Sequence, residues 1–294
     1  MSSRQILLVV HPDRPEAHRT ASEVASVLTK EGFSFITLAT EKTAHIEMTD
    51  VRTISQQESS SEISRCELAL VLGGDGTILR GAELVHGTTI PILGINLGHV
   101  GFLAQIGKPA PAEIISAIRD RSYRTEKRMS LSYRVERGAE AVARGWALNE
   151  VAVERSTEQM IELFVQIDHR PLSRWGCDGV ICATPTGSTA YAFSAGGPVV
   201  WPDVEALVLL PLAAHALFSD PMVVSPDSEI AIDVESDVGV LSADGLRKVQ
   251  LRSGDRITLT SDKSFIHLAH IESAPFTDRL VAKFKLPIDG WRGE

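Results

Sequence analysis

The sequence predicts an α/β plus β protein: an N-terminal doubly wound parallel-sheet domain, followed by a mostly antiparallel β domain. The chain has 294 residues, enough for about two domains of roughly 150 residues each. Its first part alternates strand and helix signals, whereas apolar and polar residues alternate singly further on. We therefore place the two domains at residues 1–125 and 126–269, with residues 270–294 as a candidate addition to the first.

The first domain opens with a βα unit. Residues 5–10 are apolar and β-branched, and apolar residues at helical spacing follow until Gly32. A second strand is predicted over residues 33–39. A polar stretch over residues 40–65 comes next, and its segment 56–61 predicts a mobile surface loop.

Strand and helix signals then continue to the end of the domain. The continuous apolar run 68–72 is typical of a buried parallel strand, and it stops at Gly73-Gly74-Asp75-Gly76-Thr77. A helix is predicted over residues 78–85 and another strand over 90–95. Proline opens a further predicted helix at 111–121.

The second domain is predicted from apolar residues that alternate with polar ones and are separated by Gly or Asp turns. These apolar residues are Met129, Leu131, Tyr133 and Val135; Val151 and Val153; Ile161, Leu163, Val165 and Ile167; Ile230, Ile232 and Val234; Val238 and Val240; Ile257 and Leu259. Residues 277–285 predict a weak final helix, and their periodicity does not assign it to either domain.

Charge and hydropathy exclude several classes of function. The chain carries 29 basic and 38 acidic residues, a formal net charge of −9. Such a chain repels phosphate backbones, so we expect no nucleic-acid partner. The longest apolar run, 206–218, is too short to span a bilayer, so we expect no membrane partner. Residues 1–10 lack a cleavage site, which predicts a cytoplasmic protein.

The glycine-rich turn at 73–77 is the first candidate site. Glycine permits positive φ and close backbone approach, so the amides can converge on a phosphate at a helix N-terminus that Thr77 caps. The carboxylate of Asp75 can accept a hydroxyl proton or order Mg²⁺, and Arg80 can bind phosphate. The alternative is a plain turn in which Asp75 bonds only its own backbone. The position after a buried strand favours a ligand site.

A hydroxyl-rich block at residues 178–198 is the second candidate site. Its side chains suit ribose and phosphate oxygens, and the ring of Tyr191 can stack on a base. The hydroxyl residues are Thr184, Thr186, Ser188, Thr189 and Ser194. The alternative is a Ser/Thr-rich loop with a helix cap and a core tyrosine.

The pair Asn149-Glu150, ahead of a predicted strand, is the third candidate site. Its amide and carboxylate can fork onto vicinal ribose hydroxyls. Taken alone, the pair also fits an asparagine turn beside a solvated glutamate.

In this order and at these spacings the three motifs resemble the bacterial type of the NAD kinase family, and the similarity covers most of residues 68–245. The turn alone also occurs in diacylglycerol and sphingosine kinases, and phosphofructokinases carry a close variant. The block at 184–198 is what separates NAD kinases from those lipid and sugar kinases.

The resemblance implies a role for each matching residue. It implies that Asp75 is the proton acceptor for the 2′-hydroxyl of the adenosine ribose. It also implies that the nucleotide phosphates bind at the glycines Gly73, Gly74 and Gly76. It further implies that the dinucleotide is held by the following residues: Asn149 and Glu150; Thr189, Ala190, Tyr191 and Ser194 at the adenosine; Phe102 at the adenine; and Asp178 toward the nicotinamide half.

The resemblance also implies the ligands. These are NAD as acceptor, ATP or polyphosphate as donor, and Mg²⁺ or another divalent cation whose protein ligands the sequence does not identify. A homodimer or homotetramer is implied, because in related enzymes a neighbouring subunit completes the pocket. Two departures stand out: Gln105 replaces a common acidic residue, and Leu246 replaces a common glutamine and leaves one expected hydrogen bond to the ligand unaccounted for.

Two other functions remain open at this stage. A lipid or sugar kinase with the same glycine turn would phosphorylate an alcohol other than NAD. A non-catalytic NAD sensor would bind NAD without forming a product, and the presence of Asp75 argues against it.

Overall fold

The computed structural model describes residues 4–39, 50–98, 101–104, 107–236, 238–272 and 274–288. The chain divides into two compact units. The first unit comprises Met1–Lys127 together with Ile266–Glu294, and the second comprises Arg128–Phe265.

Six α-helices, one 3-10 helix at Gly187–Thr189 and nineteen strands are described. The helices are α1 Pro15–Lys30, α2 Ser59–Ile63, α3 Asp75–Val85, α4 Pro111–Asp120, α5 Tyr191–Ser194 and α6 Phe276–Phe284. The strands are β1 Arg4–Val10, β2 Phe33–Leu38, β3 Val51–Ile54, β4 Cys66–Leu72, β5 Ile92–Ile95, β6 Arg124–Arg128, β7 Leu131–Arg137, β8 Glu140–Ala147, β9 Glu150–Arg155, β10 Ile161–Ile167, β11 Arg170–Cys177, β12 Gly179–Ala183, β13 Leu207–Leu212, β14 Met222–Val224, β15 Ile230–Val234, β16 Val238–Ala243, β17 Arg247–Arg252, β18 Asp255–Ser261 and β19 Ile266–His270.

The first unit is built on a seven-stranded sheet with the order β3-β2-β1-β4-β5-β19-β6. The pairs from β3 to β19 are all parallel, which confirms the predicted sheet. From β1 the chain adds β2 and β3 on one side and β4 and β5 on the other. The order therefore reverses between β1 and β4, the place at which such sheets bind ligands outside their carboxyl ends.

Helix α1 covers one face of this sheet with an apolar stripe. Its residues Ala17, Ala21, Val24, Ala25 and Leu28 are at most 1% exposed. They recur at helical spacing, so the amphipathic pattern in the sequence predicts the buried face.

The prediction of a surface loop over residues 56–61 is wrong for residues 59–61, which begin α2. Strand β3 pairs in parallel with β2, and α2 follows it. Strand β3 is a four-residue edge strand, so its sequence is too short and too polar to show a strand period. Residues 40–49 lie outside the described part of the chain.

The second unit contains two six-stranded sheets, which run β11-β10-β15-β18-β7-β8 and β14-β13-β12-β9-β16-β17. Their pairings are antiparallel, as the alternating pattern predicts. Inward side chains from both sheets form one apolar core. No described helix is long and apolar enough to cross a membrane.

Candidate functional site

The glycine turn of the first unit joins β4 to α3 at the carboxyl end of the sheet. Gly74 is the N-cap residue and α3 begins at Asp75, three residues earlier than predicted. The prediction that Thr77 caps the helix is wrong, because Thr77 lies inside the first turn and its amide donates to the carbonyl of Gly74. The Thr77 side chain instead fills the space where a Cβ on Gly73 would lie, 2.3 Å from Oγ1.

The glycines of this turn do not adopt the positive φ that the sequence analysis expected. Neither Gly73, Gly74 nor Gly76 has φ in the left-handed region. Instead, a Cβ on Gly74 or Gly76 would meet no atom of the described residues within 4 Å. The first amides of a helix have no carbonyl of their own helix to bond, so the amides of this turn are available to a ligand on the side of these glycines. What glycine provides here is access to the backbone.

The side chain of Asp75 binds a neighbouring loop. Its Oδ2 accepts the amide of Phe102 at 3.0 Å, and its Oδ1 accepts the amide of Leu103 at 3.2 Å. Asp75 thus bonds a distant segment, unlike the plain turn in which it would bond only its own backbone. A carboxylate offers about four lone-pair positions, so two amides leave others for a ligand.

Basic side chains lie on the same side of the sheet as the glycine turn. Burial lowers the pKa of His11, the residue after β1, and the nearby Arg14 lowers it further, with a smaller contribution from Arg80. Arg80 on α3 is exposed, as a phosphate partner must be. Arg14 is not among the residues predicted for the site. Its position after β1, beside the reversal of strand order, is the signal that could have identified it.

Phe102 is buried in the first unit and does not present its ring to solvent. The ring centroid lies 5.9 Å from that of Phe276 and 5.7 Å from that of Phe284, both on α6. Contact between Phe102 and adenine stays a prediction.

In the second unit, a buried aspartate holds the Asn149-Glu150 turn. The carboxylate of Asp244 accepts the amides of Leu148 at 2.9 Å, Asn149 at 2.7 Å and Glu150 at 3.3 Å. It also accepts Nη2 of Arg247 at 2.8 Å. Charge-assisted bonds of this kind fix a backbone turn strongly. The conformation of the pair is therefore set by residue 244, which the sequence analysis did not select.

Hydroxyl side chains hold the same turn from the opposite direction. Oγ1 of Thr184 donates to the carbonyl of Leu148, and the amide of Thr184 donates to the carbonyl of Asn149. Oγ of Ser188 donates to the carbonyl of Pro185. Thr184, Thr186 and Ser188 are all buried. The expectation that these hydroxyls face ribose or phosphate is corrected for Thr184 and Ser188, which satisfy the backbone instead.

Glu150 is buried at 7% exposure, and its Oε2 has no hydrogen-bond partner among the described residues. Burial, and next the Asp244 carboxylate, raise the pKa of Glu150 to about 8, while the amide of Tyr191 lowers it. An orphaned buried oxygen is costly unless a ligand bonds it. Glu150 is therefore not the solvated glutamate of the alternative interpretation, and it suits a hydroxyl partner.

Two further predicted residues, Tyr191 and Asp178, contact charged side chains. The hydroxyl of Tyr191 donates to Oε1 of Glu154 at 2.8 Å, and burial together with Glu154 raises the pKa of Tyr191 to about 12. Asp178 pairs with Arg155, whose Nε lies 2.6 Å from Oδ1. Strands β9 and β12 place these groups side by side, since Glu154 pairs with Gly179 in the ladder.

The remaining predicted residues of the block lie around α5. Tyr191 and Ser194 are exposed, and Thr189 and Ala190 are half-buried. Oγ1 of Thr189 donates to the carbonyl of Thr186 at 3.3 Å. Their roles toward adenosine stay predictions. Of the two departures, Gln105 lies outside the described residues, and Leu246 is exposed.

The raised pKa of Glu150 predicts a pH-dependent stability. Its carboxyl keeps a proton up to about pH 8 in the folded chain, against 4.5 for the ordinary group. The folded state therefore binds an extra proton between these values. Consequently, the free energy of unfolding falls as pH rises from about 4.5 to about 8, by at most about 1.4 kcal/mol per pH unit, and levels off above about pH 8.

We expect Glu150→Gln to remove this slope, as measured by urea denaturation at several pH values. Glu158→Gln, at an exposed glutamate on the same chain segment, is the control and keeps the wild-type slope. Equal slopes in the Glu150→Gln variant and the wild type would contradict a buried, protonated Glu150.

Comparisons with known proteins assign both parts of the chain to one family. The ATP-NAD kinase N-terminal domain matches residues 6–123, and the ATP-NAD kinase C-terminal domain matches residues 148–270. The NAD kinase of Thermobifida fusca is 48% identical over 302 residues, covering 99% of this chain and 92% of that protein. The NAD kinase of Mycobacterium bovis is 45% identical over 303 residues, covering 99% of each.

Two solved structures have the same fold. A yeast NADH kinase complexed with NADH superposes with a TM-score of 0.84 at 24% identity, covering 96% of this chain and 87% of that one. An NAD kinase from Archaeoglobus fulgidus in complex with ATP gives a TM-score of 0.70 at 28% identity, covering 96% and 98%.

Proposed function

The chain belongs to the NAD kinase family and phosphorylates NAD to give NADP, and from this premise we propose how its residues carry out the reaction. Asp75 accepts the proton of the 2′-hydroxyl on the adenosine ribose as that oxygen attacks the γ-phosphorus of ATP. The bond from the γ-phosphorus to the bridging oxygen breaks, and ADP leaves. The observation that carries this proposal is the Asp75 carboxylate at the start of α3, beside open glycine backbone.

The donor phosphates bind at the glycine turn. The open space beside Gly74 and Gly76 lets phosphate oxygens reach the first amides of α3, where the helix dipole also favours negative charge. Arg80 and Arg14 add positive charge on the same side of the sheet. The Archaeoglobus fulgidus relative in complex with ATP supports ATP as donor, and polyphosphate is a second candidate.

Phosphoryl transfer depends mainly on alignment and on neutralising charge. A divalent cation such as Mg²⁺ supplies that neutralisation when it is bound. The described residues contain no group of three or more His, Cys, Asp or Glu side chains suited to a metal. The glycine turn offers a single carboxylate, that of Asp75. A cation bound here would therefore take most of its ligands from phosphate oxygens and water, as Mg²⁺ commonly does.

The dinucleotide is held by residues of the second unit. Oε2 of Glu150 is buried and has no hydrogen-bond partner in the described part of the chain, and a ribose hydroxyl would satisfy it. Asn149 lies beside it on a fixed turn and supplies both a donor and an acceptor. Tyr191 and Ser194 are exposed at α5, where Thr189 and Ala190 also lie, and Asp178 is fixed by Arg155. These positions suit the adenosine and nicotinamide halves.

A homodimer or homotetramer completes the proposal. Leu217, Phe218 and Val223 are strongly exposed on the second unit, Leu217 fully so. Leu217 and Phe218 are adjacent in sequence, and exposed apolar patches are typical of surfaces that another subunit covers. The partner is a second copy of this chain.

Removal of divalent cations tests the donor half of the proposal. We expect NADP to form from NAD and ATP with Mg²⁺, and excess EDTA to abolish its formation because the triphosphate charge is then unscreened. An NADP-specific dehydrogenase reads the product. Restored activity on adding Mg²⁺ back is the control. Undiminished NADP formation in EDTA would contradict a cation-dependent transfer, and substituting polyphosphate for ATP defines the range of donors.

A further inference from the structure

Helix α6 of the first unit contacts the loop that carries the partners of Asp75. We propose that Arg279 on α6 is a positioning residue for the reaction: it fixes segment 101–104 and thereby the orientation of the Asp75 carboxylate. The inference rests on the proposed function, in which Asp75 is the proton acceptor.

Arg279 is a buried cation directed at this segment. It is 3% exposed, and its Nη1 donates to the carbonyl oxygen of Phe102 at 3.4 Å and to that of Ala104. A buried guanidinium is retained only when its donors are paired. Arg279 therefore binds the backbone of the segment at two points.

A histidine and a glutamate fix the other end of the guanidinium. Nη2 of Arg279 lies 3.2 Å from Nδ1 of His270, and Nε2 of His270 lies 3.2 Å from Oε2 of Glu126. Arginine can only donate, so Nδ1 accepts and Nε2 carries the proton that is donated to Glu126. The chain of bonds holds Arg279 in one orientation.

Apolar packing adds a second attachment between α6 and the segment. The Phe102 ring packs against Phe276 and Phe284, at 5.9 Å and 5.7 Å between centroids. These two rings lie at the first and last positions of α6. The helix thus holds both the backbone and the one aromatic side chain of segment 101–104.

The planarity of one peptide group connects Arg279 to Asp75. The carbonyl of Phe102 and the amide of Leu103 are opposite ends of the same peptide group, which is rigid and planar. Arg279 bonds the carbonyl end, and Oδ1 of Asp75 accepts from the amide end at 3.2 Å. Fixing one end therefore fixes the direction from which the other end reaches the carboxylate.

The close fit at Gly101 shows how little freedom the carboxylate has. A Cβ at this position would lie 2.2 Å from Oδ1 of Asp75. The two amides of the segment occupy defined lone pairs of the carboxylate, so the remaining lone pairs point in a fixed direction. A proton acceptor misplaced by about 1 Å loses on the order of 100-fold in rate.

Arg279→Met, which keeps length without charge, tests the proposal against a merely structural role. We expect kcat to fall about 10- to 100-fold while KM for NAD and for ATP stays within about threefold. Arg19→Met removes an exposed arginine of α1 and is the matched control, with unchanged kcat. Equal kcat in Arg279→Met and the wild type would overturn the proposal.

The combination with Asp75→Asn is the decisive readout. If Arg279 acts through Asp75, the double variant is no slower than Asp75→Asn alone, because the group that is positioned has already been lost. Additive losses would show that Arg279 acts elsewhere and would overturn the proposal. If Asp75→Asn alone keeps wild-type turnover, the proton-acceptor role fails instead, and the two failures are thus distinguishable.

Arg279→Lys covers the case in which Arg279→Met does not fold, as judged by circular dichroism. Lysine keeps the charge but cannot reach two carbonyls and His270 together. We expect a folded variant with kcat reduced about tenfold and the same non-additivity with Asp75→Asn. Wild-type kcat in Arg279→Lys, or additivity with Asp75→Asn, would overturn the proposal.

Discussion

Asp75→Asn is expected to lower kcat by about 1000-fold, because a positioned general base contributes on the order of 100- to 10,000-fold. The asparagine amide cannot take the ribose proton. The substitution also replaces one carboxylate oxygen with an NH2 group, which cannot accept the hydrogen bond that the amide of Phe102 or Leu103 donates in the wild type. We therefore expect a loss of catalysis with the fold intact.

Steady-state turnover, with NAD binding measured by calorimetry, checks this expectation. Asp120→Asn, at the exposed end of α4, is the control and keeps wild-type kcat. A kcat of Asp75→Asn within about tenfold of the wild type, a barrier change of only about 1.4 kcal/mol, would remove Asp75 from this role.

Asp244→Ala is expected to have the second largest effect, on stability and on NAD binding together. The substitution leaves the amides of Leu148, Asn149 and Glu150 without their acceptor and Arg247 without this partner. Removing one side of a buried charged cluster costs about 3–5 kcal/mol. The same loss frees the Asn149-Glu150 turn, so KM for NAD should rise about 10- to 100-fold.

Urea denaturation and initial-rate kinetics measure the two effects of Asp244→Ala. Asp244→Asn keeps one acceptor oxygen and should fall between the wild type and the alanine variant. Asp227→Ala removes an exposed turn aspartate and is the control, with both quantities unchanged. A stable Asp244→Ala protein with wild-type KM for NAD would show that the turn does not depend on Asp244.

Local patterns in the sequence predict the parallel sheet and the position of the glycine turn at residues 73–77. The run of β4 is apolar because both faces of the strand are buried, and it ends where glycine and Asp75 begin. The helix start is displaced by three residues because Gly74, rather than a side-chain cap, begins α3. The short strand β3 has too few residues for a period to show, so only its pairing with β2 reveals it.

The supporting contacts of the site could not be predicted, because they join residues that are distant in sequence. Asp244 holds Leu148 across 96 positions, and Arg279 holds Phe102 across 177. Nothing in the local sequence marks either residue as polar and buried. The raised pKa of Glu150 could not be predicted either, because its two largest causes are burial and Asp244, which is distant in sequence.

In the proposed mechanism, Asp75 takes the proton of the 2′-hydroxyl during phosphoryl transfer. Steady-state turnover also contains product release, so a single turnover is the more direct test. Enzyme preloaded with NAD is mixed with ATP and Mg²⁺, quenched at successive times, and its NADP is counted with an NADP-specific dehydrogenase. We predict that Asp75→Asn slows this first turnover about 1000-fold with NAD binding unchanged. A first turnover within about tenfold of the wild-type rate would contradict the account.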